Sequence, residues 1–359
     1  MNKTARIRRY NKKRFKMDLK NIKAAVTATL DGSGQVMFQQ SPWTGLLFLA
    51  GIFWGSYECH SPQVAWGAVV GLVASTLAGY ITERGSKEGA QGLWGFNGIL
   101  VGCAFPTFLE NTWLMWLALI FCSMLTTWVR TGMNKVMAPW KINSLTFPFV
   151  LMTWVFLLAS RIMDGIAPTT LSEPELAGHY QFALDTSFGS LVVYWLKGIS
   201  QVFLVDSWVT GIFFLVALAV CSRWAALWGA VGSAVALAVA LLFKADASDI
   251  TAGLFGFSPV LTGIAIGCTF NSPGWKSALW ALAAIVATVF MQAGMDVFFE
   301  PFGLPTLTGP FCITTWLFLI PLYKFTTGQK KHDEWKSGWD VFVSDLRREE
   351  KNIEDKDKK

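Results

Sequence analysis

Residues 92–102 read Gly92-Leu93-Trp94-Gly95-Phe96-Asn97-Gly98-Ile99-Leu100-Val101-Gly102, and 161 residues later the chain repeats the pattern as Gly253-Leu254-Phe255-Gly256-Phe257-Ser258-Pro259-Val260-Leu261-Thr262-Gly263. Two more segments recur in the same order. Gly34-Gln35-Val36-Met37-Phe38, followed by Thr44-Gly45, returns as Ser200-Gln201-Val202-Phe203-Leu204 with Thr210-Gly211, an offset of 166. Leu145-Thr146-Phe147-Pro148-Phe149 returns as Leu307-Thr308-Gly309-Pro310-Phe311, an offset of 162. A single match is unremarkable in a chain with 32 glycines; three in register mark an internal duplication.

The chain around these motifs is suited to a bilayer. Of its 359 residues 53% are hydrophobic and only 15% charged, with 18 Trp and 28 Phe. Apolar stretches fall at 44–58, 64–82, 90–106, 113–129 and 145–160, and again at 206–222, 224–243, 251–270, 277–295 and 307–323. Several approach the roughly 17–25 residues needed to cross a membrane. The net charge of +6 comes mainly from nine Lys and Arg within residues 1–20, so nucleic-acid binding is a poor reading of it. The basic start resembles a signal peptide, but polar residues and Pro42 interrupt the path to the first apolar run, and cleavage is not expected. The six cysteines lack metal-like spacing and read as small buried hydrophobes.

Loop charge gives the orientation. With the N-terminus inside, inside connections carry Arg84, Lys87, Arg130, Lys135, Lys141, Arg223 and Lys276, while Lys244, Arg161 and Lys197 run against the pattern. Seven against three fits the cytoplasmic enrichment of Lys and Arg and sets both termini inside. Five spans per unit is an odd number, so the second unit enters from the opposite side. The expectation is an all-α integral membrane protein of ten transmembrane helices plus two re-entrant half-helices, built as two inverted-topology five-helix repeats. Residues 1–30 form a basic cytoplasmic segment, 31–165 the first repeat, 166–195 an extracytoplasmic connection, 196–324 the second repeat and 325–359 a charged cytoplasmic tail. In such folds the pathway lies between the halves, at interrupted segments in corresponding positions.

The repeated motifs suggest what lines that pathway. Gln35 and Gln201 each precede a span on a segment too short to cross, so each reads as the tip of a re-entrant helix offering a neutral amide. Pro148 and Pro310 lack the N–H that would bond the carbonyl four residues back. In a continuous helix this frees the carbonyls of Ser144 and Thr306 beside the hydroxyls of Thr146 and Thr308. Phe96 and Phe257 stand on glycine-rich stretches that let backbones approach closely, with Leu100 and Leu261 four residues on and on the same face. No ionisable residue is expected well inside a span, and no phosphate-binding loop or paired-His motif is present, which disfavours ion coupling and enzyme chemistry. A passive route for a small, flat, neutral solute fits best. A secondary transporter that moves by rocking is the alternative, and it would depend on an ion gradient.

These combined motifs resemble the urea transporters, over about Gly34 to Lys324. The resemblance implies a homotrimer in the plasma membrane, here the bacterial inner membrane, with one channel-like urea pore per subunit and no cofactor. It places Gln35 and Gln201 at the re-entrant helix ends, and Thr146 and Thr308 at the constriction. Phe38, Phe96, Leu100, Phe257 and Leu261 become slots that stack on urea, with Val202 and Leu204 beside the second. Ser258-Pro259 in place of Asn97-Gly98, and Leu204 in place of Phe38, imply a second site that is wider or selective for something slightly different, and urea analogues, short amides and ammonia stay open as solutes.

Overall fold

The structure is a computed structural model that describes residues 22–83, 86–176, 178 and 182–322. The basic residues 1–20, Arg84, His179, His332 and the tail 325–359 lie outside the described residues. In the first half the chain forms α1 (22–35), α2 (Pro42–Glu58), α3 (Pro62–Thr82), α4 (Lys87–Ala90), α5 (Phe96–Phe108), α6 (Trp113–Met137) and α7 (Phe147–Ser160). The second half runs α8 (Phe188–Ser200), α9 (Trp208–Cys221), α10 (Arg223–Leu242), α11 (Ala247–Thr251), α12 (Phe257–Ile264), α13 (Trp275–Phe299) and α14 (Gly309–Leu322). Short and long helices thus follow each other in the same sequence twice.

Each expected apolar segment holds one of these helices, but few of them are full length. Among the described residues, α3, α6 with its continuation to Trp140, α10, and α13 with its continuation to Phe302 are long and apolar enough to cross a bilayer. A fifth crossing results if α8 and α9, bent by 71° across their break, count as one. The remainder are shorter, such as the 13 residues of α5 and the 14 of α7, or about 20 Å at 1.5 Å per residue. The glycine and proline motifs that marked the repeat are what shorten them. Outward faces are apolar: Trp113, Leu117 and Phe121 make an exposed stripe at four-residue spacing along α6. Stripes of this kind suit a lipid surroundings, in keeping with a multi-pass membrane protein.

Proline acts differently from the expectation. Pro148 and Pro310 are the second residues of α7 and α14 and begin those helices instead of kinking them. Just before them, Leu145 (φ 52°) and Leu307 (φ 50°) turn left-handed, so residues 144–146 and 306–308 are not helical. The Ser144 and Thr306 carbonyls accordingly accept from the N–H of Phe147 (3.0 Å) and Gly309 (3.1 Å) and are not left free. Proline is favoured at a helix start because its missing N–H is an orphan there anyway.

Backbone detail repeats at the sequence offsets. Eight of the ten left-handed residues come in pairs, Phe38 with Leu204, Gly92 with Gly253, Lys141 with Gly303 and Leu145 with Leu307, while His60 and Lys244 have no such image. Ser41 and Ser207 cap α2 and α9 by accepting from the N–H of Thr44 and Thr210. One difference separates the halves. Where α5 is regular, α12 runs into a π-turn over Ala265–Thr269, with the Phe270 N–H reaching the Ala265 carbonyl at 2.8 Å. A π-turn accommodates one extra residue. The offset rises from 161 before it to 162 after it.

Contacts between the halves are reciprocal. Thr44 Oγ1 donates to the Ala217 carbonyl (2.9 Å) and Thr210 Oγ1 to that of Gly51 (2.8 Å). Trp154 Nε1 donates to the Pro305 carbonyl (2.8 Å) and Trp316 Nε1 to that of Asn143 (2.9 Å). Each bond is its partner's repeat-related image, as when residue i of one unit meets j of the other and j meets i across a two-fold. Phe48 and its image Phe214 meet directly, with ring centroids 5.1 Å apart, on the α2–α9 seam.

Gly92 and Gly253 (φ 75° and 76°) test this construction. A Cβ would lie 2.4 Å from the Gly32 nitrogen in one and 2.5 Å from the Gly198 nitrogen in the other. Gly92→Ala and Gly253→Ala are each expected to cost about 1–3 kcal/mol from the left-handed backbone alone, before the close contact is added. Thermal unfolding in detergent should show both variants clearly destabilised, whereas Gly132→Ala, in open space on α6, should be neutral or slightly stabilising.

Candidate functional site

Two cavities open beside the C-terminal ends of α1 and α8. Gln35 is the last residue of α1, and its Nε2 donates to the Gln91 carbonyl at 2.8 Å. Gln201 directly follows α8, and its Nε2 donates to the Ala252 carbonyl at 2.9 Å. Each amide thereby satisfies the turn that precedes a left-handed glycine, Gly92 or Gly253. Each glutamine also lines a cavity.

The Gln35 cavity, about 70 Å³, is walled by Gln35, Val36, Phe38, Leu93, Phe96, Thr269 and Phe270, with Glu88, Arg130, Asn134, Asn143, Ser144, Leu145 and Thr146 completing it. The Gln201 cavity is larger, about 540 Å³. All fourteen residues of the first have their repeat-related images in the second. Gln201, Val202 and Leu204 lie 166 residues on. Asp249, Leu254 and Phe257 lie 161 on. Gln292, Asp296, Pro305, Thr306, Leu307 and Thr308 lie 162 on. Thr269 and Phe270 are matched in the reverse direction by Thr107 and Phe108 at 162, a register that the extra π-turn residue maintains.

Thr146 and Thr308, one from each cavity, touch: their Oγ1 atoms are 2.7 Å apart, and Thr146 Oγ1 is 3.3 Å from Cys312 Sγ. Both threonines are buried. A residue here again meets its own image, and each of the two threonines borders one cavity.

The structure brings Gln35, Phe38, Phe96 and Thr146 together in one cavity and Gln201, Val202, Leu204, Phe257 and Thr308 in the other. Leu100 and Leu261 stand apart. Both are 0% exposed and border neither cavity, because the turn of helix below Phe96 and Phe257 packs into the core. Phe38 packs edge-on against Phe270 at 5.6 Å and Phe311 at 6.1 Å, whereas the smaller Leu204 stands at the matching place in the roomier cavity. Asn97 Oδ1 accepts from the Phe149 N–H at 3.1 Å; the shorter Ser258, its image, leaves its hydroxyl without a partner.

Sequence reading missed the polar residues beyond the motifs. Arg130 lies buried within α6 and pairs with Glu88, and Asp296 lies within α13, so ionisable groups do enter the helical bundle. All three border cavities, where water can solvate them. The images of Arg130 and Asp296 are the neutral Gln292 and Asn134, while that of Glu88 is another carboxylic acid, Asp249, and only the offset reveals the correspondence.

Comparison with known proteins agrees with the geometry. The urea transporter family model matches residues 26–323. Curated relatives include urea transporter 1 of sheep (Ovis aries), 31% identical over 295 residues that cover 81% of this chain and 75% of the relative. Urea transporter 1 of rat (Rattus norvegicus) is 31% identical over 300 residues, with the same coverage.

Lining and core positions are separable by chemistry. In a Cys59→Ser, Cys221→Ser background, which removes the two exposed thiols, Leu254→Cys should react readily with a small water-soluble thiol reagent. Leu261→Cys should stay unlabelled. Labelling measured by mass shift checks both, and rapid reaction at position 261 would move the cavity wall.

Proposed function

The chain belongs to the urea transporter family, and we propose from that premise that it lets urea cross the membrane passively through the two cavities and the threonine contact between them. Family membership places it among transporters and not enzymes. The observation that carries the finer reading is the Thr146–Thr308 contact flanked by two cavities with image-related walls.

Two inverted units, 31–165 and 196–324, with 166–195 between them, account for that arrangement. The pseudo-two-fold axis then lies in the membrane plane, and ten spans with α1 and α8 as re-entrant half-helices bring both termini to the cytoplasm. The reciprocal hydrogen bonds support this reading. Urea is flat, with one acceptor and two NH2 donors. Phe96 and Phe257 with Leu93 and Leu254 offer apolar walls to its faces, while Gln35, Gln201, Thr146, Thr308 and the turn carbonyls of Ser144 and Thr306 serve its edge. Those carbonyls each retain a second lone pair beyond the turn bond they accept. An amide stripped of water without partners loses roughly 2–7 kcal/mol, so replacement partners keep the barrier low. Leu100 and Leu261 support the rings from behind. Assembly as a homotrimer in the bacterial inner membrane, with a pore in each subunit, completes the proposal.

Thr146→Val keeps the shape and removes the hydroxyl. Leaving one polar group of the solute unpaired costs roughly 1–3 kcal/mol, which is about a fivefold to 150-fold loss of flux at 1.36 kcal/mol per decade. Stopped-flow urea uptake into proteoliposomes should show that loss with a normally folded protein. Uptake should also be indifferent to proton and sodium gradients; strict dependence on either would replace the channel with a coupled, rocking transporter.

A further inference from the structure

The image-related cavities are chemically opposed. Arg130, Glu88 and Asn134 in the Gln35 cavity become Gln292, Asp249 and Asp296 in the Gln201 cavity. The first set holds a guanidinium, and its Nε–H is buried with no acceptor. In the second, a neutral amide replaces the cation while a carboxylate takes the place of Asn134. Gln292 is 2% exposed; its Nε2 donates to the Leu254 carbonyl, and its Oε1 is buried with no donor. Asp249, Asp296 and Glu300 line the same space, and no Lys or Arg lines it among the described residues. Burial and the neighbouring charges of Asp246 and Glu300 push the Asp249 carboxyl up to about 6, a repulsion that a bound cation relieves. Two cations stand near the rim, but Lys197 is paired with Asp206 at 2.8 Å, and Arg161 is tied to Glu173 and to the carbonyls of Ser172 and Gly303.

We propose that the Gln201 cavity is a binding site for a small planar cation rich in N–H donors, of the guanidinium class, held by Gln292 Oε1 and the carboxylates of Asp249 and Asp296. The inference rests on the pore reading above for its consequence, though not for the binding itself. Guanidinium has nearly the shape of urea but donates from every edge and accepts from none. A wall that gathers the carboxyl groups of Asp249, Asp296 and Glu300, and no cation among the described residues, suits it better than it suits neutral urea, which needs a donor for its oxygen. It cannot go on. The neutral threonine pair offers no counter-charge for a dehydrated cation, and Arg130 repels it on the far side. Bound there, it occludes the urea path.

The test uses the full-length protein and guanidinium chloride at roughly 1–20 mM, on the order of a hundredth or less of a denaturing concentration, so that unfolding is negligible. Sodium chloride at matched ionic strength is the control. Urea uptake into proteoliposomes and thermal unfolding of the detergent-solubilised protein are the two readouts. Guanidinium, and not sodium, should slow urea uptake at least several-fold and raise the unfolding temperature. Asp249→Asn and, separately, Asp296→Asn should each raise the half-inhibitory concentration about tenfold or more, read as inhibited over uninhibited flux in the same variant. Gln292→Arg, which installs the residue of the opposite cavity, should abolish both effects. Equal behaviour of guanidinium and sodium, or inhibition unchanged in the Asp variants, overturns the site. Absence of urea flux with a retained thermal shift would instead overturn the pore reading and leave the cation site standing.

Discussion

Half-length helices that stop inside a membrane protein leave backbone groups out of reach of bulk water, and such ends persist only against protein partners or a wetted cavity. This constraint organises the molecule. Gln35 and Gln201, at the ends of α1 and α8, each give one amide hydrogen to a carbonyl in the turn leading to Gly92 or Gly253. Those glycines take a left-handed turn against the backbone of Gly32 and Gly198, back in α1 and α8. The end of α1 or α8 and the start of α5 or α12 are therefore locked together, and the open space beside the lock becomes a cavity. Remove the interrupted helices and neither the cavities nor the threonine contact has a reason to exist.

Duplication then doubles the arrangement. The reciprocal bonds of Thr44 with Thr210 and Trp154 with Trp316 tie the halves together by the same groups used twice. Symmetry is close along the inner apolar walls of the two cavities and relaxed elsewhere. Walls built from Leu93 and Leu254, or Phe96 and Phe257, match, while the polar residues farther out have diverged into a cation-bearing and an acidic set. The single extra residue of the second half is absorbed in the π-turn of α12, and Thr269 and Phe270 keep the places that Thr107 and Phe108 occupy.

Much of this was legible in the sequence. Apolar runs located the helices, and the Gly-Leu-aromatic-Gly-Phe, Gly-Gln-Val and Leu-Thr-x-Pro motifs located the cavities, because small residues, amides and prolines are conspicuous in an apolar background. Four things were hidden. Helical periodicity put Leu100 and Leu261 on the face of the phenyl rings, but a four-residue step is a whole turn deeper, and there the core closes. Proline was read as an interruption, whereas Leu145 and Leu307 end the preceding chain in left-handed turns and leave proline to start a helix. Arg130 and Asp296 looked like loop charges because they sit near helix ends. Their images are different residue types, so no similarity of letters could flag them; only shared cavity walls do.

Diffraction from the protein soaked with a selenium-bearing urea analogue bears most directly on the central claim, that solute travels along the line where the two units meet. Anomalous density is expected on both sides of the Thr146–Thr308 pair, against Phe96 in one cavity and Phe257 in the other. Density confined to a lipid-facing groove or to a boundary between subunits, with both cavities empty, would contradict it.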